Sequence, residues 1–422
     1  MEQGARVVVV GAGFGGLTFC QTFREPGARI TLVDRRNHHL FQPLLYQVAT
    51  GGLSAPDIAQ PIRSILANDP NLNVLLDEVT GFDLAARQVQ TAKTTLSYDY
   101  LVLAFGGVTS YFGHPEWEQF APGLKTLEDA LRIRNQVLLA FEHAEAEPSA
   151  ERHRKLMTMV VVGGGPTGVE LAGAFSELAR HVLLHDFRNI DPREARVVLI
   201  EAGPRILSHL PEDLSESAER QLRNLGVEVL TSTKVKSIGE QLVELETGER
   251  IEAATIVWAA GVSAHPLTRK LGNGVELDRA GRVKVNPDLS LQGHPEVFAI
   301  GDMALVIGED GKPVPGVSPA AMQMAKHAAK IISGELQGTP GGRTPFRYHD
   351  KGTMATIGRS AAVAILGNQH LSGFIAWLAW LAVHLLFLIG FRNKLSVLLQ
   401  WAYSYLTYKR GARIVFGERA GG

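Results

Sequence analysis

An α/β fold with two Rossmann-like dinucleotide-binding domains and a C-terminal helical membrane-anchoring module is predicted by three features of this 422-residue sequence. A β-branched run breaks into glycines twice, in RVVVVGAGFGG at residues 6–16 and in MVVVGGGPTGVELAG at residues 159–173. Each passes into a helix-like pattern, so each reads as strand, tight turn and helix. Short Val- and Ile-rich strands divided by Gly, Asn and Asp turns then run to about Val285. From Leu371 onward the chain becomes strongly apolar.

Gly11, Gly13 and Gly16 fit the spacing GxGxxG. Such glycines permit the tight turn, let backbone N–H groups approach a pyrophosphate and bring helix close to strand, while the helix N-terminus supplies a positive end. Asp34 closes the next apolar strand, where an acid can accept both ribose hydroxyls. Gly163, Gly165 and Gly168 repeat the pattern, and Glu201 ends the strand VVLIE. Glu201 lies further from its glycines than Asp34 does, which requires a longer helix-loop connection. A carboxylate there repels a 2'-phosphate and favours NADH over NADPH. Two dinucleotide sites on one chain are most simply explained by a resident flavin in one and a nicotinamide in the other. Gly301-Asp302, ending the strand of VFAIGDMA, places FAD in the first, because an acid at a strand end can bind ribityl hydroxyls.

The composition narrows the chemistry. A hydrophobic content of 45% fits a globular chain of two or three domains. Lys plus Arg number 42 against 43 Asp plus Glu, a balance without the field that attracts nucleic acid. Cys20 is the single cysteine, which excludes an internal disulfide, a CxxC pair and a four-thiolate cluster; no metal site is expected. Electron chemistry must therefore come from an organic cofactor. The apolar run Val7 to Val10 begins too early to follow a cleavable leader, so synthesis and folding in the cytoplasm are expected.

Residues 124–147, rich in Ala, Leu and Glu, read as a helix leading into the second nucleotide unit. The expected organisation is an FAD domain from residues 1–118 and 293–345, an NADH domain at 119–292 and a membrane module at 346–422. The Gly- and Pro-rich residues 338–342 form the expected linker to that module.

With these motifs in place the sequence closely resembles type II NADH dehydrogenases, the non-proton-pumping NADH:quinone oxidoreductases among the two-dinucleotide-binding flavoproteins. The similarity runs nearly end to end, most specifically through HLFQPLLYQVATGGLS (39–54), GGGPTGVELAG, VFAIGDMA, DKGTMATIGR and LIGFRNK. The resemblance implies that Gly11, Gly13, Gly16, Asp34, Val79, Ala104, Gly106, Gly301, Asp302 and Ala321 hold FAD, bound non-covalently. It implies that Gly163, Gly165, Gly168 and Glu201 hold NADH, and that Glu170 places substrate and handles protons. The family's AQxxxQ quinone motif corresponds to SPAAMQMA at 318–325, where Gln323 keeps the second glutamine and Pro319 replaces the first. Gln323 can offer a donor and an acceptor, and Pro319 suits the first turn of a helix. Tyr46, Gln47 and Lys351 match positions near the quinone. Disulfide reductases and sulfide:quinone oxidoreductases use paired cysteines, which this chain lacks. Cys20 is read as a small buried residue and His38 and His39 as structural or exposed.

Residues 371–391 as one helix would reach about 31 Å, close to a hydrocarbon thickness of roughly 30 Å. The next stretch, 395–408, carries Ser396, Gln400, Ser404 and Thr407 on one stripe and is too short to cross. A single crossing would carry Arg392, Lys394, Lys409, Arg410 and Arg413 outside, against the positive-inside tendency. The tail is therefore expected to lie in the interface. The alternative is a buried core or dimer helix, which would show the same aromatic stripe, Trp377, Trp380, His384, Phe387 and Phe391; His384 is read as a hydrogen-bonded packing residue. The resemblance gives the same monotopic anchor, a homodimer peripheral to the inner membrane on its cytoplasmic face, and electron transfer from NADH through FAD to a quinone. The rivals are a soluble reductase of a small iron-sulfur carrier, which needs no apolar tail, and a flavoprotein that signals through dimerisation.

Overall fold

The computed structural model describes residues 4–338, 342–367, 369–407 and 411–415. Residues 339–341 of the expected linker, and Lys409 and Arg410 of the basic cluster, lie outside the described residues. The chain forms two units. The first comprises Met1–Leu40, Ala59–Val108 and Val262–Lys351, the second Phe41–Ile58, Thr109–Gly261 and Gly352–Gly422.

In the first unit, Val7 to Val10 are buried, as an uninterrupted β-branched run in a parallel sheet must be. Their strand, Ala5–Val10, lies between Ala28–Asp34 and Tyr100–Leu103, all parallel. Leu72–Leu76 and His294–Ala299 extend the sheet on the two sides, and Ser290–Leu291 closes one edge antiparallel. Strand order reverses beside Ala5–Val10, so a crevice opens at the carboxyl ends of that strand and Tyr100–Leu103, where such sheets take ligands.

The second unit repeats the plan with a four-stranded parallel sheet, Val227–Leu230, Arg196–Ile200, Thr158–Val162 and Thr255–Trp258 in that order. The helix expected over 124–147 spans Leu127–Ala146 and starts at a capping box, in which the Thr126 side chain accepts from Asp129 N–H and the Asp129 carboxylate accepts from Thr126 N–H. The helix Pro166–Glu177 runs into a π-helical turn, Leu178–Val182, before the chain returns as Arg196–Ile200, which is the longer connection that Glu201 required.

Two features differ from the sequence expectation. The described residues from 352 onward belong to the second unit and not to a module of their own, as do residues 41–58, while residues 262–292 lie in the first. The reason is close packing: a Cβ on Gly173, in the helix Pro166–Glu177, would lie 3.0 Å from Gly358 N, so the strand Thr353–Thr356 and the turn after it rest on that helix. The apolar stretch 371–391 is also not one helix. Gln369–Ser372 forms a strand paired with Ala362–Leu366, the helix Gly373–Phe387 follows, and Gly390 in the left-handed region separates it from a second helix, Phe391–Thr407. No helix among the described residues is long and apolar enough to cross a membrane.

The first half of the polar stripe, Ser396 and Gln400, faces inward, whereas Thr407 is exposed and bonds Tyr403 O of its own helix. Ser396 Oγ and Gln400 Nε2 donate to the two carboxylate oxygens of buried Asp57 at 2.8 and 2.9 Å, and Ser54 adds its N–H and hydroxyl. Asn393 Nδ2 donates to Pro56 O at 3.2 Å. Leu395, Leu398, Leu399, Tyr403 and Leu406 are left exposed, as are Phe374, Ile375, Leu378, Leu386 and Phe391. Trp377 and Trp380 are buried, so the expected aromatic stripe divides between inside and outside. Asp57→Asn replaces one acceptor oxygen with a donor facing donors. It should cost about 1–3 kcal/mol and increase proteolysis within 391–407; an unchanged melting temperature and cleavage pattern would remove Asp57 as the anchor of that helix.

Candidate active site

The two glycine turns are built alike. In the first, Gly11 has φ +98°, and a Cβ there would lie 2.6 Å from Ala104 O; a Cβ on Gly16 would meet Gly11 O at 1.8 Å. Strand, turn and helix thus touch backbone to backbone. Gly13 has no atom within 4 Å of its Cβ position, which leaves room for a ligand to reach the loop N–H groups. In the second turn Gly163 has φ +112° and its Cβ would fall 2.6 Å from Ala260 N, Gly168 would meet Gly163 O at 1.8 Å, and Gly165 faces open space. These are the positions a dinucleotide pyrophosphate needs: two glycines for close packing, one for access.

The acids behave alike too. Asp34 Oδ2 accepts Ala12 N–H at 2.7 Å and its Oδ1 accepts Arg36 N–H at 2.7 Å. Glu201 Oε2 accepts Gly164 N–H at 2.6 Å and its Oε1 accepts Gly203 N–H at 2.6 Å. Each carboxylate is clamped to its own glycine loop and retains lone pairs for ribose hydroxyls. In the first unit His39 adds a support that spacing did not reveal. It is buried, its Nδ1 contacts Ala12 O at 2.9 Å, and burial holds its pKa below the usual imidazole range. A neutral ring therefore donates Nδ1–H to the loop.

Ala104 and Gly106 follow Tyr100–Leu103 and form the opposite wall of the first crevice, with Gly106 at φ +68°. Val79 follows Asp77, whose N–H donates to Asp34 O at 3.0 Å. Gly301, at φ +75°, sits 3.4 Å from Ala321 Cβ at its Cβ position, and Gly301, Asp302 and Ala321 line one cavity with Gly316 and Val317. Pro319 occupies the first turn of the helix Ser318–Leu336. Gln323 uses its amide in both directions on the backbone, donating to His349 O and accepting from His349 N–H, each at 2.9 Å, and so ties the segment leading to exposed Lys351. Cys20 is fully buried and burial pushes its thiol up, away from reactivity.

In the second unit Glu170, Tyr46 and Gln47 come together with residues of the C-terminal helices. Glu170 is buried on the helix Pro166–Glu177, and its Oε1 accepts Thr356 N–H at 3.4 Å. Burial pushes its pKa up to about 8, opposed by that N–H and the Trp380 indole. Burial, and next the Glu170 charge, holds the Tyr46 phenol well above its usual range. Tyr46 meets Trp380 edge-on at 6.4 Å, and Trp380 stacks on His384 at 4.1 Å. His384 Nδ1 lies 2.8 Å from Trp380 O, and burial lowers its pKa to about 4, a neutral packing residue. Sequence reasoning did not find Thr356, Trp401 or Asp57; they lie far along the chain from their partners, and although Thr356 falls within DKGTMATIGR, that stretch does not reveal its contact with Glu170.

Fold and site together define a two-dinucleotide-binding oxidoreductase of α/β type. Residues 5–327 match the family model described as pyridine nucleotide-disulphide oxidoreductase, and residues 350–409 match the NDH2 C-terminal domain. The chain is 46% identical to the type II NADH:quinone oxidoreductase Ndh of Mycobacterium tuberculosis, over 98% of this chain and 91% of that one. A type II NADH:quinone oxidoreductase of Staphylococcus haemolyticus is 31% identical over 87% of this chain and 91% of its own length. The structure of NDH2 from Plasmodium falciparum in complex with NADH superposes with a TM-score of 0.90 at 21% identity, covering 97% of this chain and 99% of that one. The chain belongs to the pyridine nucleotide-disulphide oxidoreductase family and, within it, to the type II NADH:quinone oxidoreductases.

The cradle geometry separates two glycines that share a motif. Gly16→Ala should destabilise the protein by more than about 3 kcal/mol, since its methyl must displace backbone. Gly13→Ala should change stability by less than about 1 kcal/mol, because its Cβ would meet open space. Thermal unfolding of the two apoproteins checks this, and equal losses would contradict the packing described.

Proposed function

We propose that the protein is a non-proton-pumping NADH:quinone oxidoreductase in which the first unit holds FAD and the second holds NADH. The observation that carries this reading is the duplicated cradle with an acid clamped to each loop, in a chain whose family is FAD-dependent. When bound, FAD would supply the redox chemistry between the two substrates. Gly11, Gly13, Gly16, Asp34, Val79, Ala104, Gly106, Gly301, Asp302 and Ala321 hold and orient it. Gly163, Gly165 and Gly168 receive the nucleotide pyrophosphate, and Glu201 takes the adenosine ribose and repels a 2'-phosphate. Glu201→Ala should therefore narrow the preference for NADH over NADPH in steady-state turnover with a short-chain quinone. Wild-type protein that uses both nucleotides equally would refute the Glu201 assignment.

Reduction of a quinone by NADH takes up one proton in addition to the hydride. Glu170 is the residue we assign to that proton. It is buried and raised to about 8, so near neutral pH it carries a proton it can give to an acceptor of growing negative charge. The sign follows from the raised value: the stability Glu170 contributes is fully present below its ordinary 4.5 and is lost as pH rises to about 8. The quinone step should decline as pH rises through about 8. Glu170→Gln should be slower and lack that limb; a wild-type profile in the variant would assign the proton elsewhere.

Tyr46, Gln47, Pro319, Gln323 and Lys351 are assigned to the quinone. For Gln323 the role is primarily to hold the segment leading to Lys351, because its amide already bonds His349. The exposed apolar residues of Gly373–Phe387 and Phe391–Thr407 support attachment to a lipid surface, with Ser396 and Gln400 of the second helix turned inward to Asp57. On this reading the protein is peripheral to the cytoplasmic face of the inner membrane, as a homodimer, and its quinone arrives from the lipid.

A further inference from the structure

Gln47 lies between two groups of different hydrogen-bonding capacity. Trp401, in the helix Phe391–Thr407, donates its indole Nε1–H to Gln47 Oε1 at 2.8 Å. On the other side Gln47 Nε2 donates to the Tyr46 hydroxyl oxygen at 2.9 Å. An indole N–H can only donate, so the carbonyl end of the amide must face Trp401 and the NH2 end must face Tyr46. The Tyr46 oxygen therefore accepts from Gln47, and its single proton remains to be donated elsewhere. The backbone holds this order. Gly52 and Leu53 N–H both bond Gln47 O, at 2.7 and 3.1 Å, and Thr50 N–H and hydroxyl bond Tyr46 O at 3.1 and 3.0 Å. Trp401 is 6% exposed and lies 5.7 Å from the Trp380 ring, so no water competes freely for Gln47 Oε1.

We propose that Trp401 fixes the direction of the chain Trp401 to Gln47 to Tyr46, so that the Tyr46 hydroxyl donates a hydrogen bond to a carbonyl oxygen of the quinone. Trp401 is thus a positioning residue for quinone reduction, acting through two others from the C-terminal helix. The proposal rests on the quinone-side reading of Tyr46 given above. The hydroxyl transfers no proton. It stabilises charge that gathers on the quinone oxygen as electrons arrive, and it does so most effectively when it is already oriented. Without the Trp401 donor the amide can turn over, present its own carbonyl to Tyr46 and capture that proton.

A double-mutant cycle tests this, read as quinone reduction by the pre-reduced, flavin-loaded enzyme and normalised to flavin reduction by NADH in the same preparation. Tyr46→Phe should slow quinone reduction on the order of 10- to 100-fold, and Trp401→Phe about 3- to 10-fold, with a raised KM for the quinone. Trp401→Phe should add nothing in a Tyr46→Phe background, because the hydroxyl it orients is gone. Additive losses, or a Trp401→Phe enzyme that reduces quinone as the wild type does, would overturn the proposal. A normal rate in Tyr46→Phe would instead sink the quinone-side reading beneath it. If Trp401→Phe fails to retain flavin, Gln47→Glu above pH 8 closes the same cycle. Its ionised carboxylate accepts from both neighbours, so its loss should also vanish in the Tyr46→Phe background, and persistence of the loss there would count against the chain.

Discussion

Backbone contact between glycines is the constraint on which the molecule depends. At Gly11 against Gly16, and again at Gly163 against Gly168, helix and strand approach so closely that a single methyl would lie 1.8 Å from a carbonyl oxygen. Only that approach lets the loop N–H groups converge, and only converged N–H groups explain where Asp34 and Glu201 sit. Each acid spends one oxygen on the N–H after the first glycine and the other on the residue two positions beyond itself. On the proposed reading, the carboxylate that would recognise a ribose also holds the loop that would receive the phosphates. Binding and folding are therefore coupled at both cradles.

The C-terminal region completes the second cradle's unit. Thr356 covers Glu170, Trp380 stands over Tyr46, and Trp401 holds Gln47. These contacts use the polar and aromatic residues of two helices whose other faces are exposed Leu, Ile and Phe. An amphipathic helix ordinarily turns its apolar side inward. Here Asp57 draws Ser396 and Gln400 inward beside buried Val397 and Trp401, and Leu395, Leu398, Leu399, Tyr403 and Leu406 stay exposed. The same helix thus carries an exposed apolar face and the Trp401 and Gln400 contacts that reach Gln47 and Asp57.

Much of this was legible in the sequence because it follows from local rules. The two GxGxxG turns, the acids closing the following strands, the helix expected over 124–147 and the strand ending at Gly301-Asp302 all rest on residues near one another in the chain. The inverted helix was not legible in the same way. Ser396, Gln400, Ser404 and Thr407 mark a polar stripe, but the stripe does not say whether water or a buried carboxylate faces it, and Asp57 lies in a distant segment. The apolar run 371–391 misled on length for a related reason. Hydropathy does not register that Gln369–Ser372 pairs as a strand, or that Gly390 adopts a left-handed turn. Glu170 was reached through the family resemblance and the position of its helix, whereas its raised pKa comes from burial that only the tertiary structure shows.

The assignment of one ligand to each cradle is the central claim, and bound-flavin content together with NADH affinity in Asp34→Ala and Glu201→Ala tests it most directly. The account predicts a colourless or weakly flavinylated Asp34→Ala protein, and a yellow Glu201→Ala protein whose affinity for NADH is reduced. A Glu201→Ala protein that loses its flavin, or an Asp34→Ala protein that keeps it while losing NADH, would contradict the account.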